Sequence, residues 1–566
     1  MKRDIGALTG ECFDLLVVGG GVHGAFATWD AALRGLRVAL IERGDFGCAT
    51  SSNSLKIAHG GFRHLRNGDL RALRASLDEQ IALQRIAPHL VRPLPCVMQA
   101  GHRFTRSSSL MRAASGFYRG IARQRANHWG TARPPAMDAG GIVKGAELAR
   151  LLAPLDPGWQ SGAMWMDAII ESPERLLIGV LRSAVDAGAV AASYVEACSI
   201  CPRDGGVTVR AMADGEGHFA IRTRLVLDAR GPWTNRALVR GEDDASSASA
   251  VHMESDSEAW SDGGDDRVSG HFPLARACNI VVRAPVPRAA VALPHPSESR
   301  MLFAVPWRGR LMLGTNYEPA RLSRNPREGV DVDALIRLFD AALPGVSLDR
   351  HSLEYVHCGL LPATDADDHT AEPRDRPTIV DLRERYDIDG IVSMVGVKWT
   401  TARAVAERAV DLCQMKLGSS VRRGGTDRRP IAGAEGAGAP AHPSAARRPH
   451  GCTEAEQGAP HFDRDLYGTL AAEVDELAYR DRMLATPLAA GSRVIGAQIA
   501  HAIRHEMALH LDDIVLRRSE LGTAGMPSEA ELSAAAAIAA AELGWSSTRA
   551  ADELARVRAA YWWRCT

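Results

Sequence analysis

Gly19, Gly21 and Gly24 stand in G-x-G-x-x-G spacing directly after an apolar run, Leu15 to Val18, and directly before a helical pattern. A second short apolar run, Val38 to Ile41, ends on the acid Glu42, 18 residues past Gly24. These types in this order suit a dinucleotide. Gly19 permits a tight turn, Gly21 lets a pyrophosphate approach the backbone, and Gly24 lets helix and strand pack closely. The helix N-terminus offers unpaired N–H groups and a partial positive charge to phosphates, and Glu42 can accept from ribose hydroxyls. A lone glycine motif is weak, but here strand, helix, strand and acid arrive in order within 30 residues, Phe13 to Glu42.

Other reactive types are sparse. The 67 basic residues include five lysines (Lys2, Lys56, Lys144, Lys398 and Lys416), leaving 62 arginines. A chain this reluctant to use Lys is expected to keep one where an ammonium is needed and a guanidinium will not serve. His505-Glu-Met-Ala-Leu-His510 suggests a zinc protease, but its histidines are five apart and that motif needs them four apart on one helix face. No metal site is expected. Cys198-Ser-Ile-Cys201 has redox spacing without a second pair, and a structural role is expected. No cysteine cluster has iron–sulfur spacing and no EF-hand loop is present.

The elements that must position a dinucleotide follow in order. Residues 44–61 are small and polar, with hydroxyls at Thr50, Ser51 and Ser52 and close-approach glycines at Gly60 and Gly61. Directly behind the glycine motif, this reads as a loop laid along the bound cofactor. Residues 70–90 have helical periodicity that ends before Pro93. Residues 102–125 mix apolar residues with six arginines. Such a helix either lies on an anionic membrane surface or packs its stripe on its own domain. Residues 165–187 read as helix. Residues 192–200, 207–211 and 224–228 read as strands, and 301–315 reads as a β-hairpin. A strand over 391–395 runs into Gly396, and a helix is expected near Thr400, with its hydroxyl as the cap. Residues 241–268 read as an exposed insertion, 416–462 as a linker rich in Gly, Ala, Pro and Arg, and 463–566 as helical.

From Asp14 to Leu90 the chain resembles the flavin-dependent glycerol-3-phosphate dehydrogenase and oxidase family. That family carries a G-G-G-x-x-G turn, then T-S-S-x-S-S-K-L-I-H-G-G-L-R-Y-L, then a helix ending A-P-H-L. Here the chain reads Thr50-Ser-Ser-Asn-Ser-Leu-Lys56-Ile-Ala-His59-Gly-Gly-Phe-Arg63-His64-Leu65, then Ala87-Pro-His-Leu90. Asp228-Ala-Arg-Gly231-Pro-Trp233 resembles N-A-T-G-P-W, and Ser393-Met-Val-Gly396-Val-Lys398-Trp-Thr400-Thr401-Ala-Arg403 resembles S-x-x-G-G-K-L-T-T-Y-R. Residues 503–518 resemble the family's C-terminal helices.

The resemblance implies an α/β + α fold, with a Rossmann-like FAD-binding domain interleaved with a β-sheet substrate domain and followed by a C-terminal helical domain. The oxidoreductase core would span 1–415. Its FAD-binding segments would lie near 1–90, 150–235 and 356–415, and its substrate segments near 91–149 and 236–355. FAD would meet Gly19, Gly21, Gly24, Glu42, Thr50, Ser51, Ser52, Gly60, Gly61, Val195, Gly231, Gly396, Thr400 and Thr401. Val195 is where the family's strand passes the adenine. The helix after Thr401 would face the flavin pyrimidine carbonyl. His59, Arg63 and Lys398 are the catalytic candidates, His59 as the proton acceptor and the two cations as phosphate or oxyanion partners. The implied reaction is oxidation of the secondary alcohol of glycerol 3-phosphate, or a related polyol phosphate, by hydride transfer to flavin N5. Quinone or O2 would be the final acceptor, and the protein would be a homo-oligomer.

Three substitutions fall at the substrate end. The family's G-x-R-P-L is Gly359-Leu-Leu361-Pro-Ala, its K-G-S-H-I is Arg276-Ala-Cys-Asn279-Ile, and its motif tyrosine is His64. One charge-assisted hydrogen bond is worth ~1.5–3 kcal/mol, so losing the arginine costs about tenfold or more in affinity. Arg276, Arg308 and Arg310 are the candidate replacements. The alternatives are another hydroxy or amino substrate, such as a glycerol-bearing precursor, or a catalytically weakened flavoprotein partner.

Whole-chain properties set limits on these readings. At 566 residues, 46% hydrophobic and 24% charged, with net charge −1, the chain suits a multidomain globular enzyme and carries no field for nucleic acid. No run reaches the ~18 apolar residues of a membrane span. The scattered cysteines and the lack of a leader pattern predict a cytoplasmic protein, with peripheral contact at the inner face of the cell membrane if 102–125 binds lipid.

Overall fold

Apolar residues of Cys12–Val18 alternate between two cores. Leu15 and Val17 join one cluster with the helices Val22–Leu33, Pro173–Asp186 and Ala402–Lys416, whereas Leu16 and Val18 join another beneath a strand meander. That alternation makes Cys12–Val18 a central strand buried on both faces, the condition for a parallel sheet. The computed structural model describes residues 1–65, 68–100, 108–128, 140–155, 157–235, 238–239, 272–298, 300–343, 345–366, 370–435 and 462–564. Among these, the first sheet runs in the order Thr378–Asp381, Ile391–Val395, Gly217–Asp228, Cys12–Val18, Val38–Ile41 and Val190–Ala192. All but the first strand are parallel. Val195–Arg203 and Gly206–Ala213 extend Gly217–Asp228 as an antiparallel meander.

The second sheet holds ten strands among the described residues, in the order Ala371–Pro373, Leu353–Ala366, Leu274–Val282, Arg310–Ala320, Met301–Trp307, Ala290–Pro294, Val91–Gln99, Ser161–Ile170 and Ile57–Ala58, with Gly141–Lys144 paired to Ser161–Ile170. Its strands come from both sides of the first sheet's segments, so the two domains are interleaved. The C-terminal helices Ala471–Arg480, Gly496–Glu506, Glu529–Leu543 and Ser547–Ala559 contribute to the cores of both sheets. The C-terminal unit therefore braces the junction where the site lies.

Several elements differ from the sequence reading. Residues 161–170 are a strand, because Val91–Gln99 and Gly141–Lys144 pair with them and that pairing overrides the helical pattern. The helix starts only at Pro173, capped by the Ser172 hydroxyl. The helix Ala402–Lys416 has Thr401, not Thr400, at its N-cap, and no side chain caps it. Within the expected linker, Ile431, Ala432 and Ala434 are buried, and the Ile431 N–H donates to the Ile86 carbonyl. The remainder, 436–461, lies outside the described residues, as does the insertion 241–268. In the helix Ser108–His128, Tyr118, Ile121, Ala122 and Ala126 are buried in their own domain, while Phe117 faces outward. The apolar stripe is thus spent internally, and 102–107 lie outside the described residues. Among the described residues no helix is long and apolar enough to cross a membrane.

Candidate active site

The nucleotide end is built as its residue types predict. Gly19 has φ +113°, and a Cβ there would lie 2.7 Å from the Ala229 carbonyl oxygen. A Cβ at Gly24 would lie 1.9 Å from the Gly19 carbonyl oxygen, so only glycine allows this crossing of helix and strand. Gly21 is the N-cap of Val22–Leu33 and no side chain caps that helix directly. Instead, the Val22 N–H donates to the Ser51 hydroxyl at 3.0 Å. Glu42 accepts from the N–H groups of Gly20 (2.6 Å) and Gly44 (2.9 Å). Burial raises its carboxyl pKa, with the Gly44 N–H, Arg43 and the Gly20 N–H opposing. The Val195 N–H donates to the Glu42 carbonyl, placing Val195 beside the acid. Gly231 has φ +61° and opens a short 3-10 turn at the end of the neighbouring parallel strand.

Three loops converge beyond this cradle. Thr50 donates to the Leu360 carbonyl at 2.8 Å, and a Cβ on Gly359 would lie 3.0 Å from Thr50. The Trp399 indole donates to the Ser51 carbonyl at 2.8 Å. Gly396 lets its loop close on the first helix: a Cβ there would overlap the His23 ring. The Ser52 hydroxyl reaches the Ala49 carbonyl within its own loop, and Thr400 is buried.

His59 is held from behind. Its Nδ1 lies 3.0 Å from Asp167 Oδ2, the Gly60 N–H donates to Oδ1 at 2.7 Å, and the Trp165 indole donates to Oδ2 at 3.2 Å. Asp167 is buried while the His59 side chain is 45% exposed, so one ring edge is fixed and the other faces open space. Gly61 (φ +88°) allows the turn into the short helix Phe62–Leu65. Arg63, on that helix, pairs with Asp375, and Lys398 Nζ lies 3.3 Å from the same Asp375 oxygen. Burial lowers the Lys398 pKa and Arg63 lowers it further, with Asp375 opposing. Burial raises the Asp375 carboxyl, but Lys398 and Arg63 outweigh it and the net direction is down. Arg63 and Asp375 are each about 60% exposed, so their pair is worth only ~0–1 kcal/mol and is cheap to displace.

The substrate wall is a patch of the second sheet. Leu361, Ala275 and Pro319 form one cross-strand row; Gly359, Ala277 and Tyr317 form the next. The three arginines expected to replace the one lost at Leu361 are engaged elsewhere. Arg276 bonds Glu328 and Glu318, Arg308 bonds Thr523, and Arg310 approaches Glu354. Arg300 sits with its guanidinium 4.9 Å from the Tyr317 ring centroid and pairs with Glu298 at 2.7 Å and Asn316 Oδ1 at 3.0 Å. Tyr317 has its pKa raised by burial, with Arg300, Arg63 and a hydrogen bond to Thr315 opposing. Asn279 is buried and donates to the Asn53 carbonyl at 3.2 Å while accepting from Thr315 at 2.8 Å. It braces the cofactor loop. His64 is nearly buried, and burial, Lys398 and Arg63 all push its pKa down.

The sequence reading missed Asp167, Asp375, Arg300 and Tyr317. Asp167 had a signal, a lone acid in an apolar strand; Asp375 sits in a charged run, Arg374-Asp-Arg376, that resembles any surface loop. Among the described residues no group of acids, histidines or cysteines could hold a metal.

The glycine cradle, the helix N-terminus that opens on Gly21, the acid at the end of the second strand and the partnerless Nε2 of His23 all fit FAD. Fold and site define a flavin-dependent oxidoreductase. The chain belongs to the FAD-dependent oxidoreductase family, whose model matches residues 14–412. Residues 425–550 match the C-terminal domain of alpha-glycerophosphate oxidase. The glycerol-3-phosphate dehydrogenase of Synechocystis sp. is 26% identical over 536 residues, covering 92% of this chain and 90% of the relative. Glycerol-3-phosphate dehydrogenase 1 of Mycobacterium tuberculosis is 29% identical over 543 residues, covering 92% and 94%. The structure of the glycerol-3-phosphate dehydrogenase from Bacillus halodurans complexed with FAD matches with a TM-score of 0.69 at 20% identity, over 98% of this chain and 96% of that one. It shares the fold.

Proposed function

We propose that the chain oxidises the secondary alcohol of glycerol 3-phosphate or a closely related polyol phosphate. FAD, when bound, supplies the hydride acceptor at N5. The observation that carries this reading is that Arg63 and Lys398 meet at one carboxylate, Asp375, while His59, four residues before Arg63, is held by Asp167. Asp167 accepts from Nδ1 and so favours the tautomer with its lone pair on Nε2, where it can take the hydroxyl proton. Arg63 and Lys398 hold the substrate's anionic group. The dipole of Ala402–Lys416 favours negative charge near its N-terminus. Anaerobic mixing with glycerol 3-phosphate and homologous polyol phosphates tests the reading: the flavin absorbance should bleach with at least one. If none bleaches it, the proposal is wrong.

One observation favours a second reading. The row Leu361, Ala275 and Pro319 is an apolar wall, which suits a larger and less charged hydroxy or amino substrate such as a glycerol-bearing precursor, or a flavoprotein with weakened catalysis. Transfer of electrons onward to quinone or O2, and homo-oligomer assembly, belong to the same proposal. So does peripheral contact with a membrane through the arginines and Phe117 of Ser108–His128.

A further inference from the structure

Asp375 stands between the two cations assigned to the substrate's anion. One oxygen, Oδ1, serves both partners: Arg63 Nη2 and, at 3.3 Å, Lys398 Nζ. The flanking arginines of its loop turn away. Arg374 donates to the Ala363 carbonyl at 3.1 Å, and Arg376 pairs with Asp69 at 3.6 Å. Among the described residues, the carboxylate's hydrogen-bonded partners are Arg63 and Lys398. His64 lies beneath, and its neutral form is favoured by its surroundings. The pair and its counter-ion sum to one positive charge.

We infer that Asp375 is a specificity-determining residue: its carboxylate occupies the anion subsite between Arg63 and Lys398 and weakens doubly charged oxyanions there more than singly charged ones. The inference rests on reading Arg63 and Lys398 as the anion partners. An incoming oxyanion displaces the carboxylate, which stays tethered nearby and repels the newcomer. Coulomb energy scales with the product of charges, so the repulsion of a dianion is twice that of a monoanion. The subsite's preference for a phosphate monoester over a carboxylate or phosphodiester is thereby narrowed.

The test uses the full-length, FAD-loaded protein, titrated with inorganic phosphate at about pH 8.5, where it is mainly the dianion, and with acetate. Binding is read from the perturbation of the flavin's visible spectrum. Asp375→Asn should tighten phosphate by about tenfold and acetate by about threefold, the square-root relation that charge doubling requires. Asp375→Glu, which keeps the charge, should retain the weak phosphate binding of the parent. Flavin content confirms that each variant is folded, and Asp375→Ser provides a second neutral replacement if Asp375→Asn is not. Unchanged or weaker phosphate binding in the neutral variants would overturn the inference and make Asp375 a mere brace for the cations. Equal tightening of both ions would overturn it too. Neither titration needs turnover, so failure of polyol phosphates to bleach the flavin would sink the proposed reaction and leave this result standing.

Discussion

Asp45 and Arg518 meet in an enclosed two-point ion pair, with Nη2 2.6 Å from Oδ1 and Nη1 2.9 Å from Oδ2 and both side chains fully buried. Arg517 reaches the same carboxylate and also Asp513. Asp45 belongs to the loop that carries Thr50 to Gly61, and Arg518 closes a π-helical turn, Ile514–Arg518, of the C-terminal unit. Such turns recur at functional sites. The cofactor loop is thereby staked to the C-terminal helices, which explains why a catalytic core carries them.

Removing one partner of a buried pair leaves the other uncompensated, a cost of about 3–5 kcal/mol. Arg518→Met is expected to lower the melting temperature by several degrees and to release FAD during purification. Burial raises the Asp45 carboxyl, but Arg518 and Arg517 outweigh it and hold the folded pKa below its ordinary value. The pair's contribution is then present above the unfolded carboxyl pKa of about 3.9 and is lost as pH falls through the folded value. Asp45→Asn should lose that acid-side dependence. A variant with full flavin and unchanged melting would refute the clasp.

Asp167→Asn should slow flavin reduction by roughly 10²-fold or more, the scale of general-base catalysis, while FAD content stays stoichiometric. An amide cannot bias the His59 tautomer as a carboxylate does, and it still fills the strand position between Trp165 and Ala168. Retention of more than about a tenth of the parent rate would dismiss the His59–Asp167 pair as the base.

Lys398→Met is expected to reduce the rate of flavin reduction more than it weakens FAD binding, because Nζ faces Asp375 and Arg63 rather than the glycine cradle. Burial and Arg63 lower the Lys398 pKa. The parent's rate should therefore decline on the alkaline side before the ordinary lysine value of about 10.4 is reached. Full reduction rates in the variant, measured with a substrate that bleaches the parent, would remove Lys398 from the site.

The nucleotide end was legible because backbone geometry dictates residue type there. Gly24 is glycine because of a 1.9 Å approach to the Gly19 carbonyl, and that need shows in sequence as spacing. The strand Ser161–Ile170 was misread because its pairing with Val91–Gln99 is a long-range contact that local periodicity does not encode. Asp375 and Arg300 were invisible for a related reason. Both are ordinary surface types whose meaning comes from what the second sheet and its loops set beside them. Arg276, Arg308 and Arg310 were candidate replacements by residue type, yet the fold gives each of them another partner.

The substrate pocket carries the sharpest expectation. Gly19 to Gly24, Thr50 to Ser52, His59 to Gly61 and Gly396 to Thr401 largely keep the family pattern, while the substrate-end positions Leu361, Asn279 and His64 do not. Asn279 is committed to Asn53 and Thr315, and the three nearby arginines are committed elsewhere. Leu361 therefore stands uncompensated by them, next to Ala275 on an apolar row. A missing charge-assisted bond of ~1.5–3 kcal/mol corresponds to about tenfold or more in affinity. Glycerol 3-phosphate should thus reduce the flavin slowly, and Leu361→Arg should raise the rate at low substrate by at least about tenfold. Arg300 lies over the Tyr317 ring, ion-paired with Glu298 and bonded to Asn316; its re-pairing with substrate would weaken this expectation, so Arg300→Met in the parent background is the control. Stopped-flow reduction by glycerol 3-phosphate decides: fast, saturable reduction at micromolar substrate in the parent would overturn the expectation, and loss of that rate in Arg300→Met would assign the missing cation to Arg300.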